Sequence, residues 1–250
     1  MVDRTPEHWR PMAAYLYVLN QDALALAWEY LRRHPEYQQD WLRSDRRMNA
    51  AHRWGLRALE DPNLDARDAH PVWMQDHDTV LHLHLDVDPP PNSRAFEFWN
   101  IPGRKDLLHD GKRLVLVARR PGRCARLVLA PELEEGRAYF YAVRPNAVSS
   151  MPAQMVVKLK KLAVDSGSGP AAVAGSRPTP ASLLELRTLQ ALDATLAGAS
   201  LREVADGLFG AEAVAQGWHA DSGLRSRVRR LVRRGQMMMR EGYRRLAQIE

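Results

Sequence analysis

The chain has 250 residues, 45% hydrophobic and 26% charged, with a formal net charge of +6 and one cysteine. This composition supports packed cores in one large domain or two to three small ones, and it excludes wholesale disorder. A single Cys124 excludes an intrachain disulfide and fits a reducing compartment. No run of about 18 apolar residues offers a membrane span. The polar, proline-bearing start MVDRTPEHWRP does not read as a signal peptide. A cytoplasmic protein without a membrane segment is expected.

The first 62 residues read as helical and aromatic. In DALALAWEYLRRHPEY, Leu24, Trp28 and Leu31 recur at i, i+4 and i+7, the spacing of one apolar helix face. Asn20 or Asp22 offers the cap and Pro35 marks the end. Arg32 and Arg33 fall in the last turn, where the helix dipole favours cations. A second helix is expected over 44–60. The aromatic residues here are mainly core candidates. Trp9, Tyr15 and Trp41 are also candidates for partner binding, because Trp and Tyr are enriched at interface hot spots.

The period changes over 70–163. TVLHLHLDV alternates leucine with histidine, which is strand behaviour. Three further β-rich runs follow in KRLVLVARRPGRCARLVLAPELEEGRAYFYAVRP, with RRPG and PELEEG as turns. An antiparallel β meander over about 79–144 is expected, with PPPN (89–92) as a loop and a short helix over 151–163. His82 and His84 share a strand face, but the pair has no glutamate three or four residues on and no second motif. The residues therefore favour a half-buried sheet's polar face over a metal site. Cys124 falls inside a strand and reads as buried. No phosphate-cradling glycine loop and no oriented nucleophile occur, so no cofactor, no metal and no enzymatic activity are expected.

Residues 164–181, VDSGSGPAAVAGSRPTPA, replace core-forming types with small residues, glycine and proline. As a flexible coil this linker spans roughly 20–25 Å, which predicts a tethered helical domain over 182–250. Ser182 with Glu185, and Ser200 with Glu203, each fit a capping box and predict two successive helices. A third, capped by Ser222 or Asp221, runs to about Arg234, and Gly235 separates it from a last helix. The fold class is α+β: a helical N-terminal segment, a central antiparallel meander and a tethered all-α, helix-turn-helix-like domain.

The charge is unevenly placed. Residues 222–250 hold 9 basic and 2 acidic side chains, after a stretch (164–221) with 3 and 7. A step this sharp suggests a surface built for a polyanion. On a helical wheel Leu224, Val228, Leu231 and Val232 fall within roughly 100° of one another. Ser226, Arg229, Arg230 and Arg233 lie opposite, Arg225 and Arg227 flank the stripe, and Arg234 lies near its far edge. All six basic positions are arginine, whose planar fork bonds phosphate or a guanine edge in two places at once. These seven residues, Arg225, Ser226, Arg227, Arg229, Arg230, Arg233 and Arg234, are the candidate contacts to double-stranded DNA. The stretch AEAVAQGWHAD between Gly210 and Ser222 exceeds a standard helix-turn-helix connection. It holds either an extra helical turn or a variant motif.

Two motifs carry a resemblance. WEYLRRHPEYQQDW (28–41) resembles the transcriptional regulator-like domain of proteobacterial proteins, with His34 where asparagine is usual. SLREVADGLFG, Trp218, LRSRVRRLVRRGQ and EGYRRL (200–246) resemble a DNA-binding transcription-factor domain of formerly unknown function. Together they look like two-domain proteobacterial regulators similar to excisionase activators of integrative and conjugative elements. That resemblance implies an activator controlling excision or transfer of a mobile element. The alternative it implies is an antiactivator-like protein that turns the same basic helix on another regulator. Protein partners for this class are another regulator, RNA polymerase or a second copy of the chain.

Overall fold

The structure, a computed structural model, describes residues 8–43, 47–74, 80–101, 103–109, 114–120, 123–142 and 178–249. The chain divides into two units, Met1–Met74 with Gly175–Glu250, and Gln75–Ala174.

The first unit is helical. After a 3-10 segment, Met12–Asn20, helix α1 (Ala23–Leu31) starts at Asp22, whose carboxylate accepts from the Ala25 amide at 2.9 Å. Pro35 both ends this element and opens the next. Lacking an N–H, it sits without loss in the first turn of α2 (Pro35–Leu42), and His34 Nδ1 caps that turn by accepting from the Glu36 amide. Helix α3 covers Arg47–Arg53, shorter than the expected 44–60, and residues 54–74 form a loop closed by a Leu56–Trp73 bridge.

Five helices follow the second unit: α4 (Pro180–Leu196), α5 (Leu201–Phe209), α6 (Ala211–Gly217), α7 (Gly223–Met237) and, after a π turn at Met238–Gly242, α8 (Tyr243–Leu246). The box at Ser200 and Glu203 forms in both directions, the Glu203 amide to Ser200 Oγ at 3.3 Å and the Ser200 amide to Glu203 Oε2 at 2.7 Å. The box expected at Ser182 does not form. Thr179 caps α4 instead, and Glu185 turns inward to meet Tyr30 and Arg234. Helix α4 ends at Gly198, whose φ of +83° lets the Ala199 amide reach back to the Ala194 carbonyl.

The two segments that the sequence reading separates, 1–62 and 182–250, share one core. Leu24, Trp28 and Leu31 of α1, each at most 2% exposed, cluster with Leu186, Leu189 and Leu192 of α4 and with Tyr243 of α8. The helical segment 182–250 is therefore packed against the N-terminal helices rather than tethered beside them; residues 164–177 of the linker lie outside the described residues. The physical cause is that α4 is apolar on two sides. Leu186, Leu189 and Leu192 face the N-terminal helices, while Ala191 and Ala194 face α5 and α7.

A buried ionic network crosses the same junction. Arg33 donates to both oxygens of Asp193, at 2.6 and 2.8 Å, and to Glu29 Oε2 at 2.5 Å. Arg32 reaches Glu29 at 2.8 Å, the Ala66 amide donates to Glu29 Oε1, and the Tyr15 hydroxyl donates to Asp193 Oδ2 at 2.7 Å. Arg32 and Arg33 thus act inside the fold, and not as exposed cations at a helix end.

Gly235 does not break α7, which continues to Met237. A Cβ there would stand 2.9 Å from Leu192 Cβ and 3.2 Å from the Thr188 carbonyl, so the missing side chain sets how closely α7 crosses α4. Gly235→Ala is expected to cost about 1–3 kcal/mol by overpacking, even though alanine is the better helix former by about 1 kcal/mol. Chemical denaturation checks this, and an unchanged or raised midpoint would show that the helices separate freely.

The second unit is a five-stranded sheet of β1 (Val80–Leu85), β2 (Arg104–His109), β3 (Leu114–Arg120), β4 (Arg123–Leu129) and β5 (Tyr139–Ala142), in the order β2-β3-β4-β1-β5. It is mostly antiparallel but is not a simple meander, because β1 pairs β4 in parallel, Leu81 opposite Leu127 and Leu83 opposite Leu129. PELEEG is accordingly no hairpin turn. It carries the chain from β4 past β1 to β5, which pairs β1 antiparallel. Leu81, Leu83, Leu116, Leu127 and Leu129 form the core of one face, with Phe96 packed on it. The side chain of Cys124 and the expected helix at 151–163 lie outside the described residues.

Candidate nucleic-acid interface

Helix α7 is positioned at both ends. Ser222 Oγ accepts from the Arg225 amide at 3.1 Å, which starts the helix, and the underside residues Val228, Leu231 and Val232 are buried against Val204 and Ala205 of α5, Val214 of α6 and Ala191 and Ala194 of α4. The stretch between Gly210 and Ser222 holds the extra helix α6, and Trp218–Ser222 connects α6 to α7. That five-residue connection is one residue longer than the three to four of a standard helix-turn-helix.

With the apolar stripe facing inward, periodicity turns Ser226, Arg227, Arg229, Arg230 and Arg233 outward, and all five are exposed; Arg225 is half-buried beside them. Among the described residues none of these five arginines makes an ion pair with a carboxylate, so their charge is displayed and not neutralised. Arg227 rests on the Phe209 ring, its Cζ 5.0 Å from the centroid. Arg234 departs from the sequence reading. Its guanidinium pairs with Glu185, whose other oxygen accepts from the Tyr30 hydroxyl at 2.5 Å. Lying at the edge of the stripe, Arg234 faces α4 and α1 and is withdrawn from the candidate DNA surface.

The expected partner-binding aromatics are placed differently. Trp9 is 3% exposed and packs among the α4, α5 and α7 side chains, where its ring occupies the space a Cβ on Gly207 would need. Tyr15 is equally buried and bonds Asp193. As placed, neither presents its ring at the surface. Amphipathic ring size suits a core as well as an interface, and residue type alone does not separate the two. Trp41 is half-buried against the edge of the α1 core.

Sequence reasoning missed Arg187. It stands alone in an acidic stretch, so no charge run marks it, yet the packing of α4 against α5 brings its Cζ to 5.7 Å from the same Phe209 ring. In the sheet unit, His82 and His84 lie opposite the Leu81–Leu83 face; His84 stacks on Phe140 with centroids 5.6 Å apart. Among the described residues there is no group of three or more His, Cys, Asp or Glu that could hold a metal ion, and no helix is long and apolar enough to cross a membrane.

A helical unit that displays a row of guanidiniums without carboxylate partners among the described residues, over an apolar underside, has the electrostatic footprint of a nucleic-acid-binding protein. Comparison with known families specifies the class. Residues 150–248 match the family described as "T6SS, Transcription factor, DNA binding domain", and residues 8–57 match the "Proteobacterial transcriptional regulator-like domain". Residues 78–125, within the sheet unit, match a "Domain of unknown function (DUF7011)". A search of curated proteins finds no match to the chain. The two regulator-type matches support a DNA-binding transcriptional regulator with DNA as its partner.

Proposed function

We propose that this protein is a sequence-specific transcriptional regulator that grips duplex DNA with the outer face of α7, using α6, the Trp218–Ser222 turn and α7 as a helix-turn-helix. The observation that carries this reading is the run Ser226, Arg227, Arg229, Arg230 and Arg233. These side chains are exposed together on one face, without carboxylate partners among the described residues, on a helix whose other side is docked. Arg225, half-buried at the start of α7, completes the set. The protein acts by binding and not by catalysis. The N-terminal helices serve as the platform that holds α4, and through it α7, in place.

The resemblance of residues 28–41 and 200–246 to excisionase activators supports a finer reading, an activator controlling excision or transfer of a mobile element. The test is fluorescence anisotropy of the full chain on duplex from upstream of its own operon and on a scrambled duplex, at low and physiological salt. Salt-steep binding that favours the native sequence is expected, with about −0.9 in slope for each phosphate neutralised. The absence of any binding to duplex, with co-purification of another regulator, would replace this reading by the antiactivator-like one.

A further inference from the structure

The structure assigns Arg187, Phe209 and Arg227 to a second, preformed phosphate site, a clamp for the DNA backbone built from three different helices. The assignment rests on the DNA-binding reading above and adds a contact that α7 alone does not contain. Phe209 is the last residue of α5, and its ring packs against the core shared by α4, α5 and α7. Two guanidiniums rest on that one ring, Arg227 of α7 at 5.0 Å and Arg187 of α4 at 5.7 Å from its centroid. Among the described residues neither makes an ion pair with a carboxylate. Two like charges gathered at one ring concentrate positive potential where a polyanion is drawn in.

The chemistry favours phosphodiester over other anions of the duplex. Guanidinium forks match phosphate oxygens bidentately. A fork already held by cation–π contact on a fixed ring gives up less freedom when it binds. Arg187 comes from α4, outside the α6–α7 pair, so it meets the sugar-phosphate backbone beside the groove that α7 enters. Its role is to set the register of the protein on DNA, and it carries no sequence information.

The experiment measures the salt dependence of binding by the full chain, wild type against Arg187→Ala, on the native and scrambled duplexes. Thermal unfolding checks the fold. Arg187→Ala is expected to lower the magnitude of the salt slope by about 0.9 and to weaken both duplexes by the same factor. Phe209→Leu, which keeps an apolar body in the core but removes the ring face, is expected to weaken binding several-fold; Phe209→Tyr is expected to restore it. The loss caused by Arg187→Ala should be smaller in the Phe209→Leu background than in wild type, because the ring and the guanidinium act together. An unchanged slope for Arg187→Ala, or strictly independent effects of the two changes, overturns the clamp. If the Arg229, Arg230 and Arg233 changes still abolish binding in that case, DNA binding by α7 stands and only the clamp falls. A wild-type chain that binds no duplex at all overturns both.

Discussion

Arg33→Met should cost about 3–5 kcal/mol of folding stability, the loss typical of stranding a buried carboxylate by removing its cationic partner. Arg33 is 4% exposed and is the bridge between α1 and α4. Without it Glu29 keeps Arg32 and the Ala66 amide, but among the described residues the one side-chain hydrogen bond left to Asp193 is from the Tyr15 hydroxyl. Adding Asp193→Asn to Arg33→Met should return part of the loss, because the amide still accepts from Tyr15 and no unpaired charge stays buried. Urea unfolding of the full chain checks both variants, and a single-variant cost under about 1 kcal/mol would show that water reaches the site.

The same network sets an acid limit. Burial alone would push the carboxyl of Asp193 up; Arg33, with hydrogen bonds from Arg33 and Tyr15, reverses this and holds it below the ordinary carboxylate range. Glu29 follows the same pattern, burial being outweighed by Arg32 and Arg33. A depressed native pKa means that the unfolded chain takes up protons first. The stability from these two groups is therefore complete above about pH 4–4.5 and is lost as pH falls through their lower native values. In Arg33→Met, burial is left without its main opponent at Asp193, so the acid unfolding limb should move to higher pH.

Changing Arg229, Arg230 and Arg233 together to glutamine should leave the fold intact and remove most of the DNA affinity. All three are exposed and none makes an ion pair among the described residues, so nothing inside the molecule depends on their charge. If all three meet phosphates, the salt slope should fall in magnitude by about 2.7, and affinity at physiological salt should fall on the order of a hundredfold. Single changes then sort the face. A phosphate contact weakens native and scrambled duplexes alike, whereas a base contact costs about 1–3 kcal/mol on the native sequence and relaxes preference at one position. Arg234→Gln is the internal control. It should lower stability through Glu185 and Tyr30 while leaving the salt slope close to wild type. A triple variant that binds as wild type does would end the case for α7.

The local signals were read where they depend only on neighbours in sequence. The capping box at Ser200 and Glu203, the cap at Ser222, the end of α4 at Gly198 and the apolar stripe of α7 all satisfy backbone groups or bury side chains within a turn or two. The Ser182 box failed because its glutamate had a better partner far away in sequence, and Thr179 with Pro180 offered an equally good start to α4. The sheet shows the same boundary. Alternating leucines in β1 mark which face is buried, but a period of two is the same in both directions along a strand, so it does not reveal that β1 pairs β4 in parallel.

By itself, then, the amino-acid order determined the caps at Ser200 and Ser222, the end of α4 at Gly198, the buried face of β1 and the line of arginines along α7, since these follow from periodicity and backbone valence. Only the tertiary structure decided which aromatic residues are core, that Arg234 serves Glu185, that Arg187 joins Arg227 at Phe209, and that the chain's two ends fold around one ionic network. The reason is range: an apolar stripe announces that it must be covered, but its partner is chosen by shape and charge from residues tens of positions away, and across the α1–α4 junction more than a hundred.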